Sequence, residues 1–138
     1  PVLPPRPAAR KTPATILVVD DRPEIAQLMR MMLIVDAHRI LTATSGEEAL
    51  ELWRRHRAGI DLLITDSRMP GVTGSDLIRQ VRADAPKLPV LCTSAHSEED
   101  LSRSGELLTT VSFLEKPFTR TQLRTIVSHI LQVGHSGA

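Results

Sequence analysis

The chain has 138 residues, 41% of them hydrophobic and 24% charged, with a formal net charge of +1. That length is one domain with room for a real core, and the composition excludes disordered, fibrous and disulfide-dense classes. A nucleic-acid binder is also excluded: Arg6, Arg10 and Lys11 fall in an acid-free lead of fourteen residues, and the remaining body carries 14 basic against 16 acidic residues with no basic stripe.

Residues Pro1 to Ala14 hold Pro1, Pro4, Pro5, Pro7 and Pro13 among small and basic residues, which reads as an extended linker. Thr15 to Val19 is a β-branched apolar strand that ends in Asp20-Asp21. Pro23 opens a helix, in the first turn where its missing N–H costs nothing. Ile25, Leu28, Met29, Met32 and Leu33 recur at helical spacing and predict one buried face. His38 to Ala43 reads as a second strand, and Ser45-x-x-Glu48 as a capping box for the next helix. Ala49, Leu52 and Trp53 give that helix its inner face, and Arg54-Arg55-His56-Arg57 suits a solvated carboxyl end.

Ile60 to Asp66 is the third strand, apolar until Thr65 and Asp66. Met69-Pro70-Gly71 and Gly74 then force a turn. Thr73-x-x-Asp76 caps a helix that buries Leu77, Ile78 and Val81. Pro86 and Pro89 punctuate the next loop, and Val90 to Thr93 forms the fourth strand, ending in Ser94-Ala95. Ser97 to Leu108 carries a weak helical pattern broken by Gly105, which predicts a short or irregular helix. Val111 to Leu114 is the fifth strand, followed by Glu115-Lys116-Pro117-Phe118. Thr119-x-x-Gln122 caps the last helix, with Leu123, Ile126, Val127, Ile130 and Leu131 on its inner face and Gly134 as its stop. No apolar stretch reaches membrane-spanning length and no signal-peptide pattern is present. The single cysteine, Cys92, lies in an apolar run, which fits a reducing cytoplasm.

Five strand–helix alternations predict an α/β domain with a parallel sheet covered on both faces. Right-handed crossovers bring all five strand ends to one edge, where open α/β sheets place their ligands. Alone, Asp66 reads as a turn or cap aspartate. With Asp20, Asp21, Ser94 and Lys116 at the same edge it becomes part of a site. Three close carboxylates need a compensating cation. Lys116 supplies one charge, and a hard divalent ion of the Mg²⁺ kind suits the rest. Such a site can hold a phosphoryl group, with Asp66 as the nucleophile that becomes an aspartyl phosphate. None of His38, His56, His96, His129 and His135 makes an i, i+4 pair, so there is no zinc signature.

From residue 15 to about 132 the chain resembles a response-regulator receiver domain of the CheY-like kind. The resemblance rests on Asp20-Asp21, on Asp66 followed by Met69-Pro70-Gly71, on Ser94-Ala95 and on Lys116-Pro117-Phe118, in that order and at compatible spacing. It implies the doubly wound, flavodoxin-like five-stranded fold of order 2-1-3-4-5. Residue by residue, it makes Asp66 the phosphoacceptor, Asp21 the direct Mg²⁺ ligand and Asp20 the acid that holds the ion largely through water. The backbone carbonyl of Arg68 matches the third protein ligand. Lys116 matches the lysine that pairs with the acceptor and then with the phosphoryl oxygens. Ser94 matches the switch hydroxyl and Phe113 the aromatic switch position. The Lys116–Pro117 bond matches one that is commonly cis. Arg68 and His96 stand at positions that tune hydrolysis of the acyl phosphate.

The expected function is therefore a phosphorelay receiver. It takes a phosphoryl group from a kinase phosphohistidine onto Asp66 with Mg²⁺, and it switches the surface of the fourth helix, fifth strand and fifth helix. Its own chemistry is limited to self-phosphorylation and autodephosphorylation. The stretch Gly105 to Phe118 is most similar to receivers at the C-terminus of hybrid sensor histidine kinases. The proline-rich lead over residues 1–14, the start on Pro rather than Met and the short tail over 133–138 fit a piece of such a kinase. The expected partner is then a histidine kinase in cis, or a histidine phosphotransfer protein. Alternatives are a single-domain regulator and a pseudo-receiver that only binds. A haloacid-dehalogenase-type phosphatase would want an Asp where Arg68 stands.

Overall fold

The computed structural model describes residues 13–94 and 111–136. Strand β1 (Thr15–Val19) leads to helix α1 (Pro23–Leu33) and a 3-10 turn over Ile34–Asp36. There follow β2 (Arg39–Ala43), α2 (Gly46–His56), β3 (Leu62–Asp66), α3 (Gly74–Asp84), β4 (Val90–Ser94), β5 (Val111–Glu115) and α4 (Arg120–Ser136). Helix α4 is the fifth helix expected from the sequence; the fourth, over Ser97 to Leu108, lies outside the described residues. The strands are all parallel and lie in the order β2-β1-β3-β4-β5, the doubly wound order that the resemblance implies. No helix among the described residues is long and apolar enough to cross a membrane.

All five residues of β3 are buried, as a central strand covered on both faces requires. Alternate residues feed two cores. On one face, Leu17, Leu63, Val90 and Cys92 meet Ala49, Leu50 and Trp53 of α2 and Leu77, Ile78 and Val81 of α3. On the other, Ile16, Val18, Leu62, Ile64 and Leu91 meet Met29 and Leu33 of α1 and Leu123, Val127, Ile130 and Leu131 of α4. Fully burying a side chain of that size contributes about 1.5–3 kcal/mol, so the sheet and the four helices among the described residues hold the strand ends rigidly. Two polar links tie the layers further. Trp53 donates its indole N–H to Asp84 at 2.8 Å, which joins α2 to α3. Arg124 on α4 grips Asp36 with two hydrogen bonds of 2.9 and 2.7 Å.

Several local expectations need correction. Leu28 is 47% exposed rather than on the buried face of α1. That face centres on Ala26, Met29 and Leu33, with Ile25 and Met32 partly buried at its flanks. The helix lies on a sheet with α4 beside it, and the contact stripe is narrower than the apolar pattern. Leu28, Met31 and Val35 form an exposed apolar line instead. The box at α2 is half formed: the Ser45 hydroxyl accepts from Glu48 N, but the Glu48 carboxylate passes its cap and accepts from Thr44 N. The boxes Thr73–Asp76 and Thr119–Gln122 are reciprocal.

Helix α4 does not stop at Gly134 but continues to Ser136. An internal glycine costs a helix about 1 kcal/mol, too little to break it unaided. At the other end, Ala14 is not linker but core. It is buried, its N–H donates to His38 Nδ1 at 3.1 Å, and its carbonyl accepts from Arg39 N at 2.8 Å.

Candidate acceptor site

Strands β1 and β3 run side by side, with Val19 level with Thr65, so Asp20 and Asp66 leave the same edge as neighbours. Asp21 follows in the turn toward α1. Carboxylate oxygens of Asp20, Asp21 and Asp66 all lie within 4.8 Å of one another. Asp20 is fully buried and Asp66 is 8% exposed, while Asp21 opens toward solvent. The turn holds Asp20 in place, because Arg22 N donates to its Oδ1 at 2.9 Å.

The loop after β3 is shaped to leave Asp66 at a rim. Ser67 N donates to Thr93 O at 3.2 Å, which carries the β3–β4 ladder one step past the acceptor. Met69 turns back into the core beneath α2 and α3. Gly71 has φ +74°, a conformation that a side chain would strain. Gly74 opens α3 directly against the acceptor backbone: a Cβ there would run into the Asp66 carbonyl and come within 2.8 Å of Ser67 Cα. A shallow cavity of about 370 Å³, lined by Ser67, Arg68, Met69, Pro70 and Thr73, opens beside the acceptor. A larger one of about 600 Å³ lies between the start of β2 and α4, and none of the strand-end carboxylates lines it.

Lys116 arrives from β5, just before a cis peptide bond to Pro117. Its ammonium is 2.7 Å from Asp20 Oδ2 and 3.7 Å from Asp66 Oδ2. The resemblance pairs this lysine with the acceptor; here its tighter contact is with the buried neighbour. Burial pushes the Asp66 carboxyl above its ordinary pKa. Lys116 opposes that shift, Asp20 adds to it, the N–H of Arg68 opposes it and Asp21 adds to it. The donor set contains only carboxylate oxygens, two of them buried, with one ammonium for three charges. That composition fits a hard dication completed by water.

The other residues singled out from sequence sit as follows. Arg68 is exposed, and its N–H points at Asp66 Oδ1 at 3.5 Å, the limit of a hydrogen bond. Phe113 is half-buried and packs on the core under α2 and α3. Ser94 ends β4, in register with Glu115. Ala95 and His96 lie outside the described residues. One contributor leaves no trace in the side-chain pattern: Arg22, which acts through its backbone. Thr93 reads from the sequence only as strand, and strand alternation places it with Leu91 on the Asp66 side.

A family model for the response regulator receiver domain matches residues 16–128. The chain is similar to the response regulator GtcR of Aneurinibacillus migulanus, 38% identical over 104 residues, which span 75% of this chain and 42% of that protein. It is thus matched to less than half the length of that relative. Among solved structures it is similar to a response regulator receiver domain protein from Clostridium thermocellum, with a TM-score of 0.81, 28% identity and coverage of 91% of this chain and 99% of that one. It is also similar to the receiver domain from the hybrid histidine kinase CckA, with a TM-score of 0.74, 31% identity and coverage of 86% and 100%. Sequence, fold and strand-end chemistry thus agree, and the chain belongs to the response regulator receiver domains of two-component signal transduction.

Proposed function

We propose that Asp66 accepts a phosphoryl group from a phosphohistidine. The observation that carries this reading is the ammonium of Lys116, placed to bridge Asp20 and Asp66 at the open edge of the sheet. An Asp66 oxygen attacks phosphorus, the phosphorus–nitrogen bond breaks, and the imidazole leaves with the bonding electrons. Burial keeps water off the attacking carboxylate and strengthens every charge contact around it. Lys116 moves part of its charge from Asp20 to the incoming phosphoryl oxygens. Asp20, Asp21, Asp66 and the carbonyl of Arg68 would hold Mg²⁺, which neutralises phosphoryl charge when bound. Arg68, and His96 beyond β4, would set how fast water regains the group. Ser94 would turn toward the phosphoryl oxygens and Phe113 inward behind it, changing the face that includes β5 and α4.

The donor would meet α1, which leaves the site at Pro23 and exposes Leu28 and Met31, with Val35 of the following 3-10 turn continuing the line at i, i+3, i+7. That line suits an apolar stripe on a donor helix. Residues 14–136 would be the receiver, and residues 1–13 a spacer that holds the donor domain at roughly millimolar effective concentration. Likeness to the CckA receiver supports a hybrid histidine kinase as the parent, with cytoplasmic transfer in cis. Likeness to GtcR supports the second reading, a separate response regulator that is phosphorylated in trans.

Mass spectrometry after acetyl phosphate and Mg²⁺ tests the acceptor. One labile adduct, absent in Asp66→Asn, is expected. No adduct would mean a module that only binds, and repeated turnover would mean a phosphatase. Comparing cis transfer in the full-length parent with trans transfer to this domain decides between the two parents.

A further inference from the structure

Two threonine hydroxyls lie buried beneath the acceptor, and their situations differ. Thr65 donates its Oγ1–H to the Asp66 carbonyl at 2.9 Å. Thr93 is 1% exposed, and its Oγ1 has no hydrogen-bond partner among the described residues. A buried hydroxyl without a partner is unfavourable, and valine fills the same space without that cost. A threonine here therefore calls for a use.

Register supplies one. Thr93 pairs with Asp66 on β3 and with Leu114 on β5. Paired residues of parallel strands share a face, and Leu91 and Leu114 pack toward α1 and α4. Thr93 thus stands in a row that runs Asp20, Asp66, Thr93, Leu114 across β1, β3, β4 and β5. Lys116 comes two residues after Leu114, on the same alternation. Its stem leaves the β5 side and its ammonium ends at Asp20, on the far side of Asp66. The line from one to the other crosses the Thr93 column.

We propose that Thr93 is a positioning residue for Lys116: its hydroxyl accepts a hydrogen bond from the ammonium once a phosphoryl group at Asp66 draws that ammonium off Asp20. The inference rests on the reading of Asp66 as acceptor. A phosphoryl group brings more negative charge than a single carboxylate, and it sits nearer the root of the lysine than Asp20 does. The ammonium has three donors. One goes to a phosphoryl oxygen, and the shortened reach brings another over Thr93. The hydroxyl then fixes the cation where charge develops during transfer.

The test is the rate at which acetyl phosphate labels the domain, read by mass spectrometry beside a thermal melt. Thr93→Val should keep or raise the melting temperature and slow labelling on the order of tenfold. Thr93→Ser, which restores the hydroxyl alone, should return most of the rate. In a Lys116→Met background, Thr93→Val should have no further effect, because the group it positions is gone. Labelling of Thr93→Val at the wild-type rate would overturn the proposal, and so would an equal slowing in the Lys116→Met background. Failure of Thr93→Ser to recover would overturn it in favour of methyl packing. A wild-type domain that takes no label at Asp66 would overturn the acceptor reading itself, and this proposal with it.

Discussion

The Lys116 ammonium makes its short contact, 2.7 Å, with Asp20, a carboxylate with no solvent exposure. Among the described residues, removing it would leave that carboxylate with the Arg22 N–H as its remaining hydrogen-bond donor. Breaking a buried pair from one side costs about 3–5 kcal/mol, and Lys116 is partly exposed, so Lys116→Met should lose about 2–3 kcal/mol in urea unfolding. Adding Asp20→Asn should return most of it. Labelling of Asp66 should fall on the order of a hundredfold in the single variant.

Asp66 gives a pH-dependent signature. Its carboxyl is pushed above the ordinary value of 3.8, chiefly by burial. The folded state therefore binds this proton more tightly than the unfolded chain does. Its contribution to stability is fully present below 3.8 and is lost as pH rises through the raised native value. Asparagine carries no such penalty. In metal-free buffer, Asp66→Asn should be more stable than wild type at pH 7, and the gain should vanish below pH 3.8. Equal stability at both pH values would show that burial does not strain this carboxylate.

Mg²⁺ should raise the melting temperature of the wild-type domain in proportion to the logarithm of its concentration. Asp21 opens to solvent, so Asp21→Ala should keep the fold while flattening that dependence. It should also weaken calorimetric Mg²⁺ binding by tenfold or so, because one carboxylate that would hold the ion is gone. An unchanged binding isotherm would place the ion elsewhere.

Met31 is 61% exposed on the outer line of α1. Met31→Glu should leave stability within about 0.5 kcal/mol, as surface changes do. It should slow transfer from a phosphohistidine protein by roughly tenfold and leave labelling by acetyl phosphate unchanged. A variant that receives phosphate from the protein donor at the wild-type rate would remove α1 from the docking face.

Much of this was legible in the residues. Runs such as Thr15 to Val19 and Leu62 to Ile64 are too apolar and too short for anything but buried strands, and each is followed within two residues by a carboxylate. Topology then dictates that Asp20, Asp66 and Lys116 meet. What stayed hidden depends on reach and on neighbouring elements. The sequence orders Lys116 after β5 but does not say which carboxylate its stem reaches. Leu28 fits the helical period as well as Met29 does, and only the position of α4 leaves it outside. Glu48 satisfies the capping pattern, yet its side chain has the length to serve Thr44 instead. The idle hydroxyl of Thr93 becomes visible only when four strands are laid in register.

The seam between α2 and α3 also makes the domain optically convenient. Trp53 is the chain's single tryptophan, and the chain has no tyrosine. Its indole is 3% exposed in the core that faces away from the Asp66–Thr93 row, and it is held by Asp84, which also meets Arg57 at 3.2 Å. Intrinsic emission therefore comes from one fixed point, and it follows water entering that seam. Melting curves of site variants can be read by fluorescence from a probe that none of the proposed substitutions touches.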